Sequence, residues 1–204
     1  MLCSTRPVTL LFLGFLFACD PQTEDTQPDT TAQAPGTAVV LVAAGYVAVD
    51  GPPDDPDAIS EATTTTWNAQ VYAGRLAEKL QVRGVDTTVV DWTDCKDLGC
   101  FHVPDAGSTA DIAVFAGPTH YGVFPDQLRD LVPAIAELAP APGVCSAISS
   151  FETAGQYAVD SFLEDLDDLG VATVEGAALS AEANQTEAAV EEALEALTGR
   201  LMGE

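Results

Sequence analysis

The sequence predicts an α/β fold, a doubly wound three-layer sandwich around a five-stranded parallel sheet. Three observations carry that prediction. Short runs of apolar, often β-branched residues recur along the chain, and stretches of helical periodicity separate them. The runs are largely apolar throughout rather than alternating, as strands are when both faces of a parallel sheet are covered. Right-handed crossovers then make the doubly wound arrangement the natural solution.

Each element follows from its own residues. Residues 37–44 (TAVVLVAA) form a continuous buried strand. Residues 67–83 carry Val71, Leu76 and Leu80 with Ala between and read as a helix, which Gly84 closes. Residues 86–92 (DTTVVDW) are the second strand, followed by a cysteine-bearing loop, and 110–116 (ADIAVFA) are the third. Residues 124–138 read as a helix through Leu128, Leu131, Val132, Ile135 and Leu138, with Pro133 as a point of distortion. Residues 144–149 (VCSAIS) are the fourth strand. A helix over 153–169 has Tyr157, Phe162, Leu166 and Leu169 as its main apolar positions, and 171–179 is the fifth strand. The last helix, 186–201, carries Val190, Leu194, Leu197 and Leu201 at helical spacing.

Composition excludes several functions. The 204 residues include 47% hydrophobic ones, enough for a core and too many for a disordered chain. Acidic residues number 32 against 7 basic ones, a net charge of −25. Such a surface repels phosphate backbones and anionic headgroups, so no nucleic acid is expected as a partner. The only histidines are His102 and His120, and the acidic run within 47–62 lacks the spacing of a calcium-binding EF-hand loop, so no metal site is expected.

The first 18 residues read as a targeting segment. Arg6 precedes an apolar run of about a dozen residues, the size of a secretory h-region and too short to span a bilayer. The run ends in Leu16-Phe17-Ala18-Cys19, which resembles the lipobox of bacterial lipoproteins, with cleavage before Cys19 and lipidation of its thiol. That resemblance implies attachment to a membrane through Cys19 and a location in the bacterial envelope, on the extracytoplasmic side. Residues 19–36, rich in Thr, Pro, Gln and Asp, read as a disordered tether. Loss of the signal removes Arg6 and leaves six basic residues against 32 acidic ones, or −26. In that oxidising compartment Cys95 and Cys100 are candidates for a short structural disulfide. Cys145, in a buried strand, is expected to be inert.

Ligands of open parallel sheets bind beyond the carboxyl ends of the strands, near the switch in strand order. Three loops leave such ends. The run Thr63 to Asn68, placed just before the first helix, offers hydroxyls and backbone N–H groups to an anion, or simply a helix cap. The run Gly117 to Pro125 turns on Gly and Pro and presents His120 and Tyr121, either to stack on a flat ring or to pack on neighbours. The run Ser149 to Tyr157 carries small polar residues and Phe151, suited to a ligand or to capping the next helix.

These loops resemble those of the flavodoxin-like family across residues 37–204. Flavodoxins hold the phosphate of FMN with (Ser/Thr)-x-Thr-Gly-Asn-Thr, and Thr64-Thr65-Thr66-Trp67-Asn68-Ala69 lies over that pattern, matching at Thr64, Thr66 and Asn68. Gly117-Pro118-Thr119-His120-Tyr121-Gly122 is similar to the loop that borders the isoalloxazine ring in flavodoxin-like quinone reductases. The resemblance implies the strand order 2-1-3-4-5 and FMN as cofactor. It implies contacts from Thr64, Thr65, Thr66, Asn68, Pro118, Thr119, His120, Tyr121, Gly122, Ser150 and Phe151.

The expected function is therefore electron transfer through FMN by a lipid-anchored protein, its acidic surface suited to a basic redox partner, with no side chain as general acid or base. NAD(P)H:quinone reductase activity is a less favoured variant, since it needs reduced nicotinamide outside the cytoplasm. The alternative is a binding or scaffold domain that kept the fold and lost the flavin. Two departures from the family pattern motivate it: the acidic insertion at 47–62, and Trp67 where the phosphate loop has Gly.

Overall fold

A computed structural model of the chain describes residues 36–43, 56–95, 98–104, 107–119, 122–150, 155–179 and 186–204, with side chains in the first helix described from Ala69 onward. Its strands are β1 (Thr37–Val42), β2 (Asp86–Asp91), β3 (His102–Val103), β4 (Ser108–Thr109), β5 (Ile112–Gly117), β6 (Val144–Ser149) and β7 (Ala177–Ala178). Its helices are α1 (Pro56–Val82), α2 (Asp126–Arg129), α3 (Val132–Ala136), α4 (Gly155–Asp168) and α5 (Glu187–Met202).

One sheet runs β2-β1-β5-β6-β7, and all its pairings are parallel. With the short antiparallel ribbon β3–β4 set aside, this is the order 2-1-3-4-5. Successive side chains of the central strands point to opposite faces, and each face buries its own core. Val40, Val114 and Ile148 pack against Leu76 and Leu80 of α1 and against Leu194 and Leu197 of α5. Leu41, Phe115 and Ala147 pack against Leu128, Ile135 and the α4 residues Val159, Phe162 and Leu166. Phe162 centres that second layer, with its ring 5.2 Å from both Phe115 and Phe124.

Three boundaries differ from the sequence reading. The first helix begins at Pro56 rather than 67, so its backbone takes in the end of the acidic insertion and the threonine run. The helix expected over 124–138 is two short helices, and Pro133 stands in the first turn of α3, where its missing N–H costs nothing. The fifth strand shrinks to Ala177–Ala178, joined upstream by a single bridge between Cys145 and Thr173. Gly176 explains that interruption, because a Cβ there would lie 2.2 Å from the carbonyl oxygen of Ala147. The β2–β5 crossover, read as a cysteine-bearing loop, holds no α-helix among the described residues. Turns at Trp92–Cys95 and Gly99–Phe101 and the β3–β4 ribbon cover the sheet instead, with Phe101 buried against Phe115 at 5.9 Å.

Charge is organised along α1 and α5. Arg75 and Lys79 on α1 and Arg83 just past its end recur every four residues, and Glu187, Glu191 and Glu195 do so on α5. Arg75 pairs with Glu187 at 2.8 Å and Glu191 at 2.7 Å. Lys79 pairs with Glu191 and with Glu195 at 3.1 Å, and Arg83 with Glu195 and with Glu204 at 3.7 Å. Arg129 meets Asp126 at 3.7 Å and Arg200 meets Glu175 at 3.9 Å. Every basic side chain among the described residues is thus engaged within the chain, and the remaining carboxylates set the outward field. Among the described residues no helix is long and apolar enough to cross a membrane.

Candidate functional site

The sheet places its switch point between β1 and β5. The β1–β2 connection passes through α1 on one face, whereas the β5–β6 connection passes through α2 and α3 on the other. The chain therefore diverges at the carboxyl ends of these two strands, which is where a crevice opens in a doubly wound sheet.

Small residues border that edge. Ala43 follows β1 and donates its N–H to Ala116 O at 2.8 Å. Gly117 ends β5, and a Cβ there would sit 3.1 Å from Leu128 Cδ1 and 3.4 Å from Ala43 Cβ. Pro118 and Thr119 follow, both buried, and Gly122 turns the chain at φ +79°, a conformation that favours glycine. On the next strand the register sets Ser149 beside Gly117, and the Ser150 N–H donates to Gly117 O at 3.1 Å.

Two hydroxyls at this edge have no hydrogen-bond partner: Thr119 Oγ1 and Ser149 Oγ. Buried polar atoms are normally satisfied, so each such exception calls for an account. No ionisable side chain stands among Ala43, Gly117, Pro118, Thr119, Gly122, Ser149, Ser150 and Gly155. This set can shape a cleft and donate or accept hydrogen bonds, but it cannot itself act as acid or base near neutral pH. Cys145, deeper in β6, supplies no nucleophile, because burial pushes its thiol up to about 12.

The structure disperses the expected site residues unevenly. Pro118, Thr119, Gly122 and Ser150 come together at the carboxyl edge. His120, Tyr121 and Phe151 lie outside the described residues, as does Cys19. Thr64, Thr65, Thr66 and Asn68 are in the backbone of α1, and their side chains fall outside the described set. The expectation that they precede the helix is corrected. Inside a helix their N–H groups are committed to carbonyls four residues earlier and are not free for an anion. Cys95 and Cys100 are joined in a disulfide with Cα atoms 5.2 Å apart. The sequence reading did not single out Ser149 as a site residue. Its signal was a hydroxyl at the carboxyl end of a strand whose one other polar residue is Ser146.

No protein-family model matches the sequence, and no curated protein matches it. Solved structures do. The flavodoxin of Streptococcus pneumonia TIGR4 is 22% identical with a TM-score of 0.52, over 82% of this chain and 99% of that one. Flavodoxin 1 from Bacillus cereus, solved in its oxidised form, is 18% identical with a TM-score of 0.55, over 83% and 99%. A short-chain flavodoxin associated with a bacterial microcompartment is 18% identical with a TM-score of 0.57, over 82% and 97%. The strand order, the two-faced helical packing and these likenesses agree that the chain has the flavodoxin-like fold.

Proposed function

We propose that this protein is a lipid-anchored, FMN-binding electron carrier of the bacterial envelope. The observation that carries the reading is the carboxyl edge at the switch point, built of small residues with two unpartnered buried hydroxyls, in a fold shared with flavodoxins. Those residues fit a flat polar ring better than a charged substrate, since they offer neutral donors and acceptors and no counter-ion. Pro118, Thr119 and Gly122 from one loop and Ser150 from the next would border the ring, with His120, Tyr121 and Phe151 in the same loops. The hydroxyls of Thr64, Thr65 and Thr66 and the amide of Asn68 are the groups left to meet a phosphate. Bound there, a flavin supplies one- and two-electron transfer.

The partner in this reading is a basic redox protein. It is supported by the net charge and by the internal pairing of the described cations, and a cleft of about 440 Å³ between α2–α3 and α4 adds to it. Asp126, Asp130, Asp165 and Asp168 line that cleft around the half-exposed Leu169, with one cation, Arg129, paired to Asp126. Residues 1–18 as a lipoprotein signal, Cys19 as the lipid attachment site and 19–36 as a tether would hold the acidic domain off the membrane.

Titration of the purified full chain with FMN, followed by quenching of flavin fluorescence, tests the cofactor. Saturable quenching is expected, and its absence at micromolar FMN would overturn the reading. Metabolic labelling with a palmitate analogue tests the anchor, and equal labelling of the Cys19→Ala variant would sink it. The start of α1 at Pro56 favours a second reading, a flavodoxin-fold scaffold that has lost the flavin, because it removes free backbone amides from the threonine run. The same titration separates the two.

A further inference from the structure

The two helical faces of the sheet carry their charges differently. On one face a groove of about 520 Å³ runs between α1 and α5, and its cations Arg75, Lys79 and Arg83 are all paired with α5 carboxylates. On the other face α4 carries five acidic residues and no basic one. The cleft of about 440 Å³ beside it has a single cation, Arg129, which meets Asp126 at 3.7 Å. Asp130, Asp165 and Asp168 also line this cleft and form no salt bridge among the described residues. Asp165, Asp167 and Asp168 stand in the last turn of α4, where the helix dipole is negative and cations are favoured. Asp165 and Asp168 are three residues apart, so they also repel each other. Local choices that work against the fold mark functional positions.

Apolar surface accompanies the charge. Leu169, just past α4, is 51% exposed and lines the cleft together with Val132 and Pro133. An apolar lining among uncompensated carboxylates suits a row of cationic side chains with an apolar one among them. A second copy of this chain does not supply that row, because its described cations are paired internally. The carboxylates do not form a metal site either, since no group of three or more His, Cys, Asp or Glu among the described residues could hold an ion. The cleft lies toward the end of the sheet away from the switch-point crevice. Gly155, the first residue of α4, stands against Ser149 at the carboxyl end of β6. Past the other end of α4, Ala172 O accepts from the Cys145 N–H at 2.8 Å, near the amino end of β6. The 14 residues of α4 span about 20 Å between these ends.

We infer that the cleft between α2–α3 and the last turns of α4 docks a lysine- or arginine-rich segment of a partner protein, with an apolar side chain of that segment on Leu169. This deepens the reading of a basic partner given above, and it places the contact away from the edge proposed for the flavin. Docking is therefore independent of the flavin. The carboxylates that serve it lower the stability of the unpartnered chain, so neutralising them has opposite effects on stability and on affinity.

The test uses the full chain and two fluorescein-labelled probes, a lysine peptide with one central leucine and its all-lysine counterpart, with binding read by anisotropy at low salt. Asp165→Asn/Asp168→Asn is expected to weaken both peptides about fivefold and to raise the peptide-free Tm by about 2 °C. Glu78→Gln/Glu192→Gln removes the same charge from exposed positions on the α1–α5 face and is expected to weaken them less than about twofold. Leu169→Ser is expected to weaken the leucine peptide about threefold and to leave the all-lysine peptide unchanged. Saturating FMN is expected to leave all these affinities as they are. Equal weakening by the two double variants would show that net charge alone is read and would overturn the cleft. Absence of peptide binding by the unaltered chain at micromolar concentration overturns it too, as does displacement of the peptide by FMN, which would put the contact at the flavin edge. A lowered Tm in Asp165→Asn/Asp168→Asn overturns the claim that the carboxylates are kept at a cost. Peptide binding as expected by a chain that binds no FMN overturns the flavin reading alone and upholds the docking cleft.

Discussion

An alanine at position 176 would place a methyl group 2.2 Å from Ala147 O, 3.1 Å from the Ala147 carbonyl carbon and 2.6 Å from Val159 Cγ1. The first two atoms are backbone in the middle of β6 and cannot swing aside. Ordinary contact needs the β7 segment to retreat by more than about 1 Å. That retreat loosens the bonds on either side of Gly176, Val174 N–H to Cys145 O at 2.9 Å and Leu179 N–H to Ser149 O at 2.8 Å. Two backbone hydrogen bonds at about 1 kcal/mol each, with about 2 kcal/mol of overpacking, give a cost near 4 kcal/mol. Restricting the unfolded chain returns about 0.7 kcal/mol, so Gly176→Ala is expected to destabilise by about 3 kcal/mol and lower Tm by roughly 9 °C. Urea denaturation measures it. Gly170→Ala is the control, at φ +83° with open space around it, and is expected to cost about 1 kcal/mol through its backbone alone. If Gly176→Ala costs no more than Gly170→Ala, the close approach does not explain why the fifth strand is interrupted.

Other outcomes follow from the charges and cysteines. Glu191 is held below the ordinary carboxylate range first by its hydrogen bond from Lys79, and Glu195 first by that from Arg83. Depressed carboxylates stabilise the fold above their unfolded pKa and lose that contribution as pH falls through the folded value. The stability gap between the natural chain and a Glu191→Gln/Glu195→Gln variant should therefore be full at pH 7 and shrink below about pH 4, and a gap that does not change with pH would refute the ladder's role. Removing the Cys95–Cys100 disulfide by double Ser substitution should cost about 2 kcal/mol, the chain-entropy value for so short a loop, read as a lower urea midpoint. In a variant with Cys3 and Cys19 changed to Ser, Cys145, with its thiol pushed up to about 12 by burial, should resist maleimide at pH 8 until urea unfolds the chain, and rapid labelling of that native variant would contradict its burial.

Much of the candidate site was legible because chain chemistry marks it. Gly117-Pro118-Thr119 and Gly122 announce a turn after a strand, and the turn does fall at the carboxyl edge. The threonine run was misplaced for an equally physical reason. Thr63 to Thr66 look like a cap, yet Ala58 to Ala62 ahead of them tolerate helix, and no local signal forbids the earlier start at Pro56, a good first helical residue. Ser149 opens the third candidate loop but is not marked as a site residue by the sequence, because VCSAIS, with its two hydroxyls, reads as strand, and whether each finds a partner depends on groups far along the chain.

By itself the sequence determined what is set locally. Strands β1 and β5 are near-continuous apolar runs because they are covered on both faces, and α4 and α5 carry a helical period because one side of each is buried. The net charge and the candidate lipidation motif are likewise written in consecutive residues. Only the tertiary structure decided the pairing of α1 cations with α5 carboxylates, the cut of the fifth strand at Gly176, and the two unsatisfied hydroxyls at one edge. Each of these is a relation between atoms that the chain separates and folding brings within a few ångströms. Hydrophobic period reports which side of an element is buried, but not which atom it will meet there.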